Sequence, residues 1–325
     1  MAATGLSMQA ALREALRAAL AEDERVLVFG EDVGRLGGVF RVTDGLQAEF
    51  GERRVFDTPL AEAGIVGLAV GLCIAGWRPV VELQFDGFSY PAFNQLAAHV
   101  SRFRTRWRGR CHLPLTIRIP SYGGISGPEL HSESVETFYG HLPGLKVVSP
   151  SAASDAHALL LEAIRDPDPV VFLEPKSRYW SREPFEPARD GAEYAARVVR
   201  AGRHATLIAW GASIAACLQA AEWAREDDVE LEVVDLRWLK PLDAETIAAS
   251  VRRTGRAVVV HEAPQTLGLG AEISALLMER CFRDLKAPVE RVTGPDMPYP
   301  CSALEGEYLP SADRILLAVQ RTFES

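Results

Sequence analysis

One carboxylate, Glu62, heads the run Glu62 to Gly71 (EAGIVGLAVG), in which no other residue is charged. With no cation within a turn or two, burial would favour its protonated form, and a neutral carboxyl donates a hydrogen bond at pH 7. An acid in a first helical turn also complements the helix dipole, so on this segment alone chemistry and helix stabilisation both stand. In Glu82 to Gln95 (ELQFDGFSYPAFNQ), Gln84 and Asp86 interleave with Phe85, Phe88, Tyr90 and Phe93 just past a strand, where open α/β sheets hold their ligands. An aromatic shelf beside a polar edge suits a flat heterocycle; core or interface packing is the competing account. The glycine-rich Tyr122 to Pro128 delivers His131, flanked by Ser132, Glu133 and Ser134. A histidine there can act as acid or base near neutral pH, although a satisfied surface or core histidine is the ordinary alternative. His141 abuts a strand and reads as a packing residue.

What the chain lacks narrows the chemistry. There is no HExxH, no GxSxG and no GxxxxGK[ST], which removes the zinc protease, α/β-hydrolase and P-loop readings. Gly268-Leu-Gly270 precedes a helix, but Ile273 stands where a dinucleotide fingerprint needs its third glycine. A net charge of -9 opposes general nucleic-acid binding. Arginines at 102, 104, 106, 108 and 110 would spread around a helix rather than line one face, so they suggest a solvated helix end or a subunit contact. Five scattered cysteines argue against a disulfide framework and structural zinc. No apolar run is long enough to span a bilayer, and the pattern predicts a cytoplasmic protein.

These residues need elements to position them. Short β-branched runs alternate with helical stretches, the pattern of an α/β domain with a mostly parallel sheet. The expected strands are 26–29, 79–83, 115–119, 146–148 and 170–173, with helices at 7–21, 62–75, 91–102 and 153–164. The segment 174–197, rich in proline and charge, reads as a linker. Beyond it a smaller doubly wound unit is expected, with strands 205–210, 230–235, 257–261 and 289–292 and helices 214–225, 244–253 and 271–282. Two domains follow, 1–190 and 191–325.

Read in order, FGEDVG (Phe29 to Gly34), GGVFRVTDGL, DTPLAEAGIVGLAVG, RPVVELQFDGF, HSES, HLPGLKVVSPS, AIRDPDPVVFLEPK, VVDLRWLKPLD, VVVHEAP, RVTGPDMPYP and LEGEYLP resemble the beta subunits of the thiamine-diphosphate-dependent, decarboxylating component of 2-oxo acid dehydrogenase complexes. The likeness runs nearly end to end. It implies a transketolase-like fold: a pyrimidine-binding domain, then a transketolase C-terminal-like domain. It implies that Glu62 holds N1′ of the cofactor's aminopyrimidine, that Glu31, Leu60, Ala61 and Gln84 lie beside the cofactor, and that Phe88 stacks on the pyrimidine where the family often has Tyr. His131 matches the histidine that assists acyl transfer to a lipoyl group, and Phe85, Asp86, Gly87 and Phe88 border the substrate pocket. Leu115, Ala163, Ile164, Asp166 and Asp168 match a structural potassium site, with Asp168 where Asn is frequent.

The family binds the diphosphate through Mg²⁺, using a GDG segment that this chain lacks. The resemblance therefore implies an alpha subunit carrying the Mg²⁺ ligands, an α2β2 heterotetramer and a lipoyl-bearing dihydrolipoyl acyltransferase core as partner. The HSES, QFDGF and LEPKSRYW variants look most like branched-chain 2-oxo acid (3-methyl-2-oxobutanoate) dehydrogenase, with pyruvate dehydrogenase as alternative. A non-catalytic scaffold of the same fold is the alternative of another class, because function resides in sites rather than folds. A stand-alone transketolase-like enzyme is disfavoured by the missing GDG.

Overall fold

The computed structural model describes residues 5–185 and 194–324. In the first half, near-continuous apolar runs form strands β1 (Val26–Gly30), β2 (Val55–Asp57), β3 (Arg78–Glu82), β4 (Thr116–Ser121), β5 (Lys146–Val148) and β6 (Val170–Pro175), as expected of parallel strands covered on both faces. The main helices there are α1 (Met8–Glu22), α2 (Glu62–Ile74) and α3 (Ala153–Arg165). Ser7 caps α1 by accepting the Ala10 N–H. The stripe Met8, Leu12, Ala15, Leu16 and Ala19 is buried at helical spacing, and α1 packs on α3.

The second half contributes β7 (Arg197–Arg200), β8 (Ala205–Ala209), β9 (Leu231–Asp235), β10 (Trp238–Lys240), β11 (Ala257–Pro264) and β12 (Glu290–Gly294), with α4 (Ser213–Ala224), α5 (Ala244–Thr254), α6 (Leu269–Cys281) and α7 (Ala312–Glu324). Its five-stranded sheet has the order β12-β11-β8-β9-β7, with β7 antiparallel at one edge. The seven-stranded sheet of the first half has the order β10-β5-β6-β4-β3-β1-β2. Its outermost strand, β10, comes from the second half of the chain and pairs antiparallel with β5, Trp238 facing Val148. One buried cluster runs from Phe29 and Ile65 through Tyr122 and Tyr139 to Trp210 and Val259, so both halves share a core.

Two expectations need correction. The linker does not begin at 174: β6 continues to Pro175, and Glu174, Lys176 and Tyr179 are all buried. Their polar groups pair inside the protein, which a local reading of charge as solvation misses. The helix at 91–102 is a straight α-turn only through Tyr90–Gln95; Leu96–Val100 widens into a π-helical turn, and the arginine run then ends in a turn with left-handed Arg108 and Gly109. The boundary at 190/191 lies outside the described residues. Among the described residues no helix is long and apolar enough to cross a membrane.

Candidate active site

The neighbouring strands β1, β2 and β3 all run parallel and end together, and the residues just past their carboxyl ends build the site, as in other open α/β sheets. Glu31 follows β1, Gln84 follows β3, and Glu62 opens α2 five residues beyond β2. The Gln84 amide donates to Asp32 Oδ2 at 2.8 Å, tying two of these strand ends together. Glu62 is 8 % exposed, and its side chain has no hydrogen bond or ion pair among the described residues. Glu31 is buried beside it, with Oε1 left without a partner. Burial, and next the charge of Glu62, push the Glu31 carboxyl upward, against the Ala61 N–H that donates to it. Glu62, and the free Oε1 of Glu31, leave hydrogen-bonding capacity at one strand edge for a ligand that the described residues do not supply.

Leu60 is 80 % exposed and Ala61 is also open to solvent, so neither is covered by this chain. The same holds along one side of α2, where Gly64, Gly67, Leu68, Gly71 and Ile74 are exposed while Ile65, Val66, Ala69 and Cys73 are buried. A Cβ added at Gly67 or Gly71 would meet nothing within 4 Å. Those glycines are not required by the packing of this chain.

The aromatic shelf closes around His131. Its ring lies 4.4 Å from Phe85 and 4.8 Å from Phe88, and Phe85 also contacts Phe40 at 5.4 Å. His131 Nδ1 stands 2.9 Å from the Glu129 carbonyl oxygen. A carbonyl only accepts, so Nδ1 carries the proton of the neutral ring and Nε2 keeps a free lone pair. Gly87 lies beneath Leu130, where an added Cβ would overlap the Leu130 carbonyl. Asp86 is fully buried instead of facing the shelf. Its carboxylate is 2.5 Å from Lys176 Nζ, also fully buried, and accepts the Gly87 N–H at 2.9 Å. Burial pushes Asp86 up and Lys176 down, each opposed by the other's charge. Lys176 Nζ also lies 5.9 Å from the Phe85 ring, so this pair supports the shelf from below.

Further in, Arg118 forks onto Glu174 at 2.6 and 2.9 Å and reaches Glu82 at 2.7 Å, all three side chains being buried. This is the bidentate geometry that guanidinium favours. Glu136 and Glu262, both buried, are pushed up to about 8 and about 7, chiefly by desolvation. Among the described residues neither oxygen of Glu136 has a partner on another residue. His141 is exposed at the end of the short helix Glu136–Gly140, so it is not the packing residue expected.

The potassium residues are brought together, but their oxygens already serve the protein. Ala163 O accepts from Thr116 Oγ1 at 3.1 Å, Leu115 O from the Val170 N–H at 2.9 Å, and Arg78 donates to the carbonyls of Ile164 and Asp166 at 2.5 and 3.2 Å. The Asp166 carboxylate accepts from Lys146 Nζ at 2.6 Å and Tyr194 OH at 2.8 Å, and Asp168 pairs with Arg104. A guanidinium and an ammonium supply positive charge beside these oxygens.

Several residues at the site were not expected from the sequence: Asp86 as an ion-pair partner, Lys176, Arg118 and Glu262. Arg118 in LTIRIP and Glu262 in VVVHEAP are lone charges in β-branched runs, the feature that singled out Glu62 and could have singled them out too.

Comparison with known proteins places these features. Residues 4–181 match the transketolase pyrimidine-binding domain and residues 194–315 the transketolase C-terminal domain. The chain is 52% identical over 318 residues to the 3-methyl-2-oxobutanoate dehydrogenase subunit beta of Mycobacterium tuberculosis, covering 97% of this chain and 91% of that one. It is 49% identical to the pyruvate dehydrogenase E1 component subunit beta of Leifsonia xyli, covering 98% and 94%. To the 2-oxoisovalerate dehydrogenase subunit beta of Pseudomonas aeruginosa it is 44% identical, covering 99% and 96%. A solved structure described as a split-gene transketolase, an inactive beta4 tetramer, superposes with a TM-score of 0.81 at 25% identity, covering 98% and 99%.

Proposed function

Because the chain belongs to the beta-subunit family of the 2-oxo acid dehydrogenases, built from transketolase-type pyrimidine-binding and C-terminal domains, we propose that it is the beta subunit of a cytoplasmic branched-chain 2-oxo acid dehydrogenase. In this reading it works with an alpha subunit in an α2β2 assembly, decarboxylates a 2-oxo acid such as 3-methyl-2-oxobutanoate, and passes the acyl group to the lipoyl group of an acyltransferase. Thiamine diphosphate supplies the electron sink for loss of CO₂.

The observation that carries the reading is the buried Glu62, without a partner among the described residues, beside the free Oε1 of Glu31 at the ends of adjacent strands. A carboxyl there fits a ring nitrogen that must be held by a hydrogen bond, and the water-poor setting strengthens that bond. Gln84 and Phe88 would flank the heterocycle, with Leu60 and Ala61 at its rim. His131, with Nδ1 fixed by the Glu129 carbonyl, presents Nε2 to take or return a proton during acyl transfer. Phe85 and Phe88 pack against that ring and orient it.

The exposed small-residue side of α2 supports an alpha partner, since its glycines leave space that this chain does not fill and small residues allow close approach of a second backbone. The diphosphate and its Mg²⁺ are assigned to that partner, in keeping with the absence of GDG here. The beta4 relative described as inactive supports the same division of labour. The test is decarboxylation by this chain with and without its alpha partner, with thiamine diphosphate, Mg²⁺ and either 3-methyl-2-oxobutanoate or pyruvate. Activity only in the mixture, faster on the branched acid, is the expected result. Faster turnover of pyruvate would move the chain to the pyruvate enzyme, and activity from the single chain would overturn the divided site.

A further inference from the structure

Resting on that reading, we infer that Glu305, from the second half of the chain, is a positioning residue for His131: its carboxylate clamps the loop 122–130 and thereby fixes where the imidazole stands for acyl transfer. One Glu305 oxygen accepts the Gly124 N–H at 2.9 Å and the Ser126 N–H at 3.2 Å. The other accepts the Ser126 N–H at 3.1 Å and the Ser126 hydroxyl at 3.3 Å. Tyr299 OH donates to the first oxygen at 2.7 Å and itself accepts the Gly124 N–H at 3.4 Å, so it joins the carboxylate on the same stretch of loop. Converging backbone N–H groups of this kind form a cradle for an anion; here the anion is built into the protein and arrives from a position 181 residues away in sequence.

The loop needs such a hold. Tyr122, Ser126 and Leu130 all have left-handed backbones, with φ of 71°, 54° and 66°, in a span of nine residues that ends one residue before His131. Non-glycine residues stay in that region only where their surroundings over-determine them. The steric fit agrees. A Cβ at Gly123 would overlap the Tyr299 hydroxyl, so glycine there is what lets Tyr299 and Glu305 reach the loop. At the other end, Gly127 lies against the His131 side chain, with an added Cβ 3.1 Å from His131 Cβ, and the His131 N–H is bonded to Pro128 O at 3.1 Å. A displacement of the clamped backbone is therefore passed to the imidazole. Glu262 takes the Gly123 N–H at 2.8 Å as a separate attachment.

The test uses the assembled alpha–beta complex and separates loop order from chemistry. Three quantities are read in Glu305→Ala, Glu305→Gln and Gly123→Ala: acylation of an isolated lipoyl domain, decarboxylation with ferricyanide as electron acceptor, and amide exchange across 122–131. A misplacement of about 1 Å lowers rates by up to about 100-fold. Glu305→Ala is therefore expected to slow lipoyl acylation by at least about 10-fold while ferricyanide-linked turnover stays within about two-fold. Exchange at Gly124 and Ser126 should accelerate in the same variant. Glu305→Gln, which keeps an acceptor oxygen, should recover part of the rate, and Gly123→Ala should reproduce the loss if Glu305→Ala fails to assemble. Normal acylation by a variant whose loop exchanges faster would overturn the inference, as would unchanged exchange in Glu305→Ala. A wild-type complex that decarboxylates but does not acylate the lipoyl domain would instead overturn the parent reading, while its exchange data would still decide whether the clamp exists.

Discussion

Replacing Lys176 by Met tests how the shelf beneath His131 is supported. The Lys176 and Asp86 side chains are both fully buried and 2.5 Å apart, and the other donors to the Asp86 carboxylate are the neutral backbone N–H groups of Gly87 and Glu133. Removing one member of a buried pair leaves an uncompensated charge, at a cost of about 3–5 kcal/mol. With about 2.1 cal/mol/K of unfolding entropy per residue over 325 residues, a loss of about 4 kcal/mol lowers Tm by about 6 °C. The assay is thermal unfolding of the purified chain for K176M, D86N and the double variant. The double variant should recover more than half of the K176M loss, because replacing both charges removes the desolvation penalty together with the attraction. The sign with pH follows from Asp86. Burial already raises its pKa and Lys176 opposes that rise, so without Lys176 the folded state holds the proton more strongly than the unfolded one. The K176M deficit should therefore shrink as pH falls towards that of an ordinary Asp and grow as pH rises. A K176M chain as stable as wild type, or a double variant as damaged as the single, would refute the view that this pair is what keeps Asp86 tolerable inside.

Three further outcomes are expected. Glu62→Gln should lower turnover of the assembled enzyme by at least about 100-fold, the usual scale of a lost proton-transfer group, with sedimentation of the complex unchanged; near-normal turnover would remove Glu62 from the chemistry. Glu136, raised from 4.5 to about 8 by burial, keeps a proton when folded that the unfolded chain has released. Stability from this group therefore falls as pH rises through that window. Glu136→Gln should flatten the fall in Tm between pH 5 and 9, and parallel profiles for the two proteins would count against it. Gly87→Ala, overlapping the Leu130 carbonyl, should destabilise by about 1–3 kcal/mol as overpacked sites do and slow acyl transfer by shifting the His131 loop; chemical denaturation and lipoyl acylation measure the two effects.

The strands and helices that carry the site were largely legible because each is locally consistent. The Val26–Gly30 and Val170–Pro175 runs are continuously apolar, and the stripe of α1 repeats at helical spacing. Elements whose existence depends on a distant partner were not legible. β10 has three residues, ends before a proline and looks like loop until it meets Val148. The segment after Glu174 looked like solvated linker because the groups that neutralise it, Arg118 and Asp86, lie 56 and 90 residues away. Glu62 stood out because its apolar surroundings are its sequence neighbours. Glu305 did not, because the donors that define its role belong to a loop in the other half of the chain.

The strand that crosses from the second half into the first sheet makes the two halves poor candidates for separate expression. Cutting the chain before Trp238 would strip the covering strand from Lys146–Val148 and leave a row of unpaired N–H and C=O groups beside the fully buried Val147 and Val148. Such an edge templates pairing with other chains. The family boundary between residues 181 and 194 is therefore a boundary of sequence descent more than of folding: the amino-terminal unit, released by proteolysis or truncation, would be an aggregating fragment rather than an independent domain.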